Sequence, residues 1–593
     1  MKHCCRSFYE FAREPVVKNA GMFVTHELLW PGLRSNYDVI AQRCRLLPGP
    51  WLIRFLSILQ WLLEGEFSSN RPGNVGLSFL RNFAEPIVAK KVEAWLSSGR
   101  AQRVFHRCTI PAMMQVRMLA GEQEGSTMEP SAETFEEVAR LLLMVNDLLE
   151  GDYEEAKGAS TTSQGVDHAL AASMFRNHFY SHRANWGPAM GRHWGLLTFG
   201  GRAVHGKFPK EVFDVQREHQ ALLGFAPTDM LTIMFALVAY YSSFTPEQLN
   251  ERPDRFLVGV DLLNALGGPE MRAQTQAIFA ACSADWDAHV AAMRAIAVGP
   301  RKNVQQFFSV YNTPLMREAE VYFPLDFEFL RSQTTEGWFW SLVRVLRQNN
   351  RGPDIGRLNA SFGRAFEWFC SELTRPLRDG DVRVWSDWDG EIQAQQGQQV
   401  PDILLVDGSV LFVIEVTSSA VPPSAAVSCD PAVLEGAISR AWFGPSRKLE
   451  QLQNAHEGVL AERVTAGGLN LANVKRVVPL LVTLRYLPRH LGLWHWYRDI
   501  MRKNALRPEF IEAVRILDSE DWEELCFGAI EGHGVAAQFD AWQGSDWAWQ
   551  SFEDWRAATL GNRPLHPLLR KFLDDLFERM PPQFDPKRAG ASV

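Results

Sequence analysis

A chain of 593 residues is too long for one compact core, so two or three domains are expected. With 46% hydrophobic and 22% charged residues, the composition is that of an ordinary globular protein, neither collagen-like nor disordered. The net charge of −8 excludes a uniformly basic nucleic-acid coat and confines any phosphate-binding surface to a local patch of Lys and Arg.

From the N-terminus, Lys2 and Arg6 are followed by no apolar core of signal-peptide length. The longest apolar run, Met230 to Tyr241, is too short for a bilayer of roughly 30 Å. The expectation is a cytoplasmic protein without a membrane partner. The eight cysteines (Cys4, Cys5, Cys44, Cys108, Cys282, Cys370, Cys429, Cys526) include no CxxC pair, which argues against a zinc site or a disulfide framework.

Residues 1–345 read as a mostly α-helical region. Pro50 opens a helix over Trp51 to Leu63, with polar breaks at Arg54, Ser57 and Gln60. Thr134 and Glu137 have capping-box spacing, and Gly151 is expected to close the helix they start. The small, polar stretch near 152–166 reads as a flexible loop. Further helices are expected over 209–222, 228–244 and 269–297. His178 and His182 have i,i+4 spacing with His168 and His193 nearby, but HExxH is absent, so they do not read as a metal site. Residues 346–360, polar with Gly and Pro, read as a linker to a third segment, 361–593. Its alternation of helices and β-rich runs gives an α+β chain.

The chemistry concentrates in Val400 to Ser419. Two Val/Ile/Leu-rich runs flank Asp407-Gly408, a two-residue hairpin signal. With those residues as the loop, Val406 pairs with Ser409 and Asp402 faces Val413. Side chains alternate along a strand, so Asp402, Val413, Glu415 and Thr417 point the same way. Two carboxylates on one face of an apolar hairpin suit a hard cation with oxygen ligands. Otherwise, a charge at Glu415 is costly to bury.

Pro401-Asp402, 13 positions to Glu415, then Val416 and Thr417, resemble the motif of the PD-(D/E)xK nuclease superfamily. The upstream helix around Ser361 to Phe369, with Phe362, Phe366, Phe369 and Leu373 as its apolar stripe, is similar to that family's first core helix. Ser446 to Leu452 resembles the helix that supplies Lys and Gln in several branches, and Val477 to Leu484 fits its next core strand. The resemblance implies an α/β restriction-endonuclease-like domain with a central mixed sheet. It also implies Mg²⁺, with Mn²⁺ able to substitute, held by Asp402, Glu415, Glu367 and the backbone carbonyl of Val416. The motif's lysine position is Thr417, which carries no charge. Lys448, with Arg447 behind it, is the candidate for a migrated lysine, and Gln451 shares its helix face. The implied activity is metal-assisted phosphodiester hydrolysis on nucleic acid, DNA ahead of RNA. The alternative is an inactive nuclease-like fold that binds nucleic acid or serves assembly. The helical region is expected to meet a protein partner or trigger, and such fusions resemble antiphage defence or mobile-element proteins.

Three other features read as structural. Asp387, Asp389 and Glu391 form an acidic turn. The basic run Arg498, Arg502, Lys503 and Arg507 among Trp494, Trp496 and Tyr497 reads as a helix with a charged outer and an aromatic inner face, ahead of a grip on a nucleic-acid backbone. The group Trp522, Trp542, Trp547, Trp549 and Trp555 is assigned to packing.

Overall fold

The computed structural model describes residues 21–580, apart from 25–28, 30–34, 70–73, 99–100, 107, 122–129, 159–167, 169–170, 173–174, 176–185, 210–211, 246–247, 250–251, 260–261, 263–270, 297–303, 427, 429, 445–446, 490 and 562–564. The architecture is α+β: mostly helices first, then mixed parallel and antiparallel sheet flanked by helices. Two compact units interleave in sequence. One comprises Met1–Ala159, Tyr241–Leu262 and Cys282–Leu330; the other comprises Ser160–Tyr240, Leu263–Ala281 and Arg331–Val593. The unit that carries the main sheet therefore includes segments from the middle of the chain as well as its C-terminal part.

The first unit is built around the helix Thr109–Ala120, in which every residue from Thr109 to Met118 is buried. Buried on every side, Gln115 and Arg117 included, it is a core helix of this unit. Pro50 lies in the helix Gly49–Ser69. The capping box falls elsewhere than expected. Ser131 is the cap, with reciprocal bonds between Ser131 and Thr134, and the helix runs Ala132–Gly158, through Gly151. Glu137 instead holds Arg43 at 2.5 Å. The segment 269–297 breaks into Arg272–Cys282 and Trp286–Ala295, because Asp285 caps the second helix through the Ala288 N–H. In the segment 160–240 of the second unit, the helix expected over 209–222 is Val215–Leu223, capped by Asp214, and that over 228–244 starts there as Pro227–Ser242.

In the second unit, helix α1 (Gly201–Lys207) precedes the long helix α2 (Gly352–Thr374). The linker expected at 346–360 is not present. Helix Gly337–Gln348 passes through three residues into α2, where Pro353 sits in the first turn and its missing N–H costs nothing. The expected stripe Phe362, Phe366, Phe369 and Leu373 is buried.

Strands β1 (Arg383–Ser386), β2 (Ile403–Asp407) and β3 (Val410–Thr417) form an antiparallel meander. Helix α3 (Lys448–Leu460) then leads to β4 (Arg476–Thr483), parallel to β3, and β5 (Arg515–Asp518) extends the sheet in parallel. Helices α4 (Ser519–Ile530) and α5 (Val535–Gln543) follow. The sheet order is β5-β4-β3-β2-β1. Apolar residues of β2, β3 and β4 (Leu404, Leu411, Val413, Leu481) pack with Leu449 and Leu452 of α3 in one buried cluster.

The hairpin loop is Gly408-Ser409, not Asp407-Gly408: Asp407 pairs with Val410, and Leu404 with Val413. Gly408 takes φ +58°, a conformation that favours glycine. Asp407 is freed for another task, accepting the Ala536 N–H at the start of α5 at 2.8 Å. The register moves by two positions, which preserves the faces. Continued one step past Ile403–Ile414, it sets Asp402 opposite Glu415.

Among the described residues no single helix is long and apolar enough to cross a membrane. The five described cysteines are buried, and none is in a disulfide.

Candidate functional site

Glu415 lies near the C-terminal end of β3 with its side chain fully buried. Asp402 sits just before β2, and its Oδ2 accepts the Val416 N–H at 2.7 Å. The N–H and C=O of one strand residue project toward the same neighbour. The Val416 carbonyl therefore points to the edge where Asp402 stands, beyond the last β2–β3 pair.

Lys448 is the first residue of α3, and the burial of Leu449 and Leu452 seats that helix on the sheet. Its Nζ lies 2.8 Å from Glu415 Oε2 and 3.3 Å from Asp402 Oδ2. Burial pulls the Lys448 pKa down, but the charges of Asp402, Glu415 and Glu367 outweigh it and the pKa is raised. Burial, followed by the negative charge of Asp402, pushes Glu415 well above the carboxylate range. Among the described residues Glu415 Oε1, which is buried, has no hydrogen-bond partner.

Glu367 on α2 pairs with Arg364 at 2.9 Å rather than touching the two carboxylates. Burial, then Asp402, raises its pKa to about 7. Gln451 lies one turn along α3, half-buried, and no hydrogen bond joins its side chain to Asp402, Glu415 or Lys448 among the described residues. Arg447 is exposed. Thr417 is buried, and its hydroxyl accepts the Ser419 N–H at 3.1 Å.

Two neighbours, one of them read from the sequence as part of an acidic turn, were not assigned to the site. Asp387 is half-buried and its N–H donates to the Asp402 carbonyl at 3.0 Å; burial, then Asp402, raises its pKa. The rest of that acidic turn is paired, Asp389 and Glu391 each at 2.9 Å from Arg378. Arg364 was the other omission. Its i,i+3 spacing to Glu367 was the available signal.

His178 and His182 lie outside the described residues. His193 is buried, and His168 stands 3.5 Å from Glu435. The basic run is occupied by ion pairs: Arg498 with Glu512, Arg502 with Asp499, Lys503 with Glu435 and Arg507 with Glu457. Trp496 and Tyr497 are buried beneath it, and Trp522, Trp542 and Trp555 are buried as well.

Among the described residues no group of three or more His, Cys, Asp and Glu side chains is arranged to hold a metal ion. The local donor set is two carboxylates and a carbonyl. Its orphaned Glu415 oxygen and edge-facing Val416 carbonyl fit a hard cation that keeps several waters. No family model, curated protein or solved structure matches the chain.

Proposed function

We propose that the sheet-bearing unit is a Mg²⁺-dependent nuclease of the PD-(D/E)xK type, acting on DNA ahead of RNA. The observation that carries this reading is Lys448 Nζ, which reaches both Asp402 and Glu415 from a different element than the motif's usual strand. Asp402, Glu415 and the Val416 carbonyl would hold the cation, which supplies a more acidic water and charge stabilisation on the phosphate. Lys448 keeps its proton and offers a fixed positive charge to the attacking water or a phosphate oxygen. Glu367 and Arg364 form the outer wall, and Gln451 has a supporting place along α3. The cell context in this reading is the cytoplasm, as the effector of an antiphage or mobile-element system, with the helical region answering to a trigger.

A second reading is favoured by one observation: both contacts of Lys448 go to the carboxylates themselves. That geometry also suits an inactive, nuclease-like fold that binds nucleic acid. The deciding experiment incubates plasmid, single-stranded DNA and RNA with the protein and Mg²⁺ or Mn²⁺. Cleavage that disappears in EDTA, in Glu415→Ala and in Lys448→Ala is expected. Binding without cleavage, together with no metal uptake by calorimetry, selects the inactive fold.

A further inference from the structure

Beside Asp402 lies a ledge of cations and aromatic rings contributed by α1, α2 and the turn after β1. Its placement depends on Gly200. A Cβ there would stand 3.1 Å from the Trp368 ring and 3.2 Å from Ala365 Cβ, so the turn leading into α1 packs closely on α2. That contact delivers Lys207 and Phe208 to the rim.

Lys207 Nζ lies 4.6 Å from the Trp388 ring centre and 5.4 Å from that of Phe208, and it donates to the Trp388 carbonyl. The Arg364 guanidinium lies 5.0 Å from the Phe208 ring. Trp388 adjoins Asp387, whose N–H is bonded to the Asp402 carbonyl, so the ledge abuts the two-carboxylate site. Lys207 and Arg364 are exposed, and Phe208 and Trp388 are half-buried.

Two physical points distinguish this patch. Among the described residues Lys207 has no carboxylate partner, and aromatic rings hold a cation without cancelling its charge. In the other basic run, on helix Leu491–Lys503 and beyond, all four cations are paired with acids, whereas on the ledge Arg364 is paired, with Glu367 at 2.9 Å, and Lys207 is not. Exposed cations interleaved with ring faces suit an unpaired strand, whose phosphates meet the charges and whose bases meet the rings.

We propose that Lys207, Phe208, Arg364 and Trp388 form a binding ledge for single-stranded nucleic acid beside the scissile phosphate. This rests on the nuclease reading only for the word scissile; the ledge itself is a binding claim. The test measures fluorescence anisotropy of a labelled single-stranded oligonucleotide and its duplex in EDTA, with the full chain. Lys207→Ala and Arg364→Gln are compared with Arg476→Ala, a surface change at the opposite end of β3 and β4.

The single strand is expected to bind more tightly than the duplex. Each ledge variant should weaken it about tenfold and lower the log–log salt slope by about 0.7, with Arg476→Ala near wild type. Unchanged binding in both ledge variants, tighter duplex binding, or no binding by wild type overturns the ledge. Parallel cleavage assays in Mg²⁺ separate the two claims. Ledge-dependent binding without cleavage removes the nuclease and keeps the ledge; cleavage without ledge-dependent binding does the reverse.

Discussion

Lys448 Nζ stands 2.8 Å from Glu415 Oε2, although 33 residues separate them and Glu415 is wholly buried. A carboxylate in an apolar sheet is costly unless a cation accompanies it. Here α3 delivers that cation across the face of β3.

Removing the lysine leaves the Asp402–Glu415 pair without its counter-charge. Lys448→Met is expected to destabilise the protein by about 3–5 kcal/mol at neutral pH in EDTA, the usual cost of breaking a buried pair. Millimolar Mg²⁺ should restore part of that loss, and Glu415→Gln in the same chain should restore part without metal. Urea unfolding followed by tryptophan fluorescence measures all three. An Lys448→Met protein as stable as wild type in EDTA would contradict the pair's importance.

Thr417 shares the face of Glu415 by strand parity, but it is buried and Lys448 already occupies the charge position. Thr417→Lys alone is expected to lower the melting temperature and gain no activity. In the Lys448→Ala background, expected to be at least about a hundredfold slower, the same change should recover part of the lost rate. Single-turnover cleavage rates decide it. An activating Thr417→Lys single variant would show that Lys448 does not fill the role.

A second buried ionic network surrounds α4. Arg192 holds Glu523 at 2.5 Å and Glu520 at 3.6 Å, and Arg489 holds Asp518 and Asp521. Glu553 enters it through a hydrogen bond to Glu520, and its N–H donates to Asp521. Burial, then the charge of Glu520, raises the Glu553 pKa to about 9. The folded protein therefore keeps a proton that the unfolded chain releases near pH 4.3. Its stabilising contribution is full below about pH 4 and lost as pH rises through about 9. Glu553→Gln, which cannot ionise, should flatten the fall in melting temperature between pH 5 and pH 9. Thermal scans across that range test it. A wild-type melting temperature that rises with pH over the same window, matched by the variant, would refute the assignment.

Local chemistry made much of the site legible. The apolar stripe of α2, the hairpin and the β4 run follow from periodicity and turn residues, signals confined to a few consecutive positions. Even the wrong loop placement at Asp407-Gly408 did little harm. A two-position register shift leaves every side chain on its face, and Asp402 moved closer to Glu415. Glu367 was placed at the correct helix edge, but its pairing with Arg364 depends on side-chain choices that spacing alone does not settle.

By itself the sequence determined which acids sit on the inner face of the hairpin and which helix carries the lysine. Those are consequences of side-chain alternation and of residue identity. Only the tertiary structure decided how segments 160–240 and 331–593 join in one unit, why Asp387 faces Asp402, and how Gly200 brings Lys207 beside Arg364. These relations join residues far apart in the chain. They are set by which surfaces exclude water together and which charges must be paired once buried, and no local pattern encodes either.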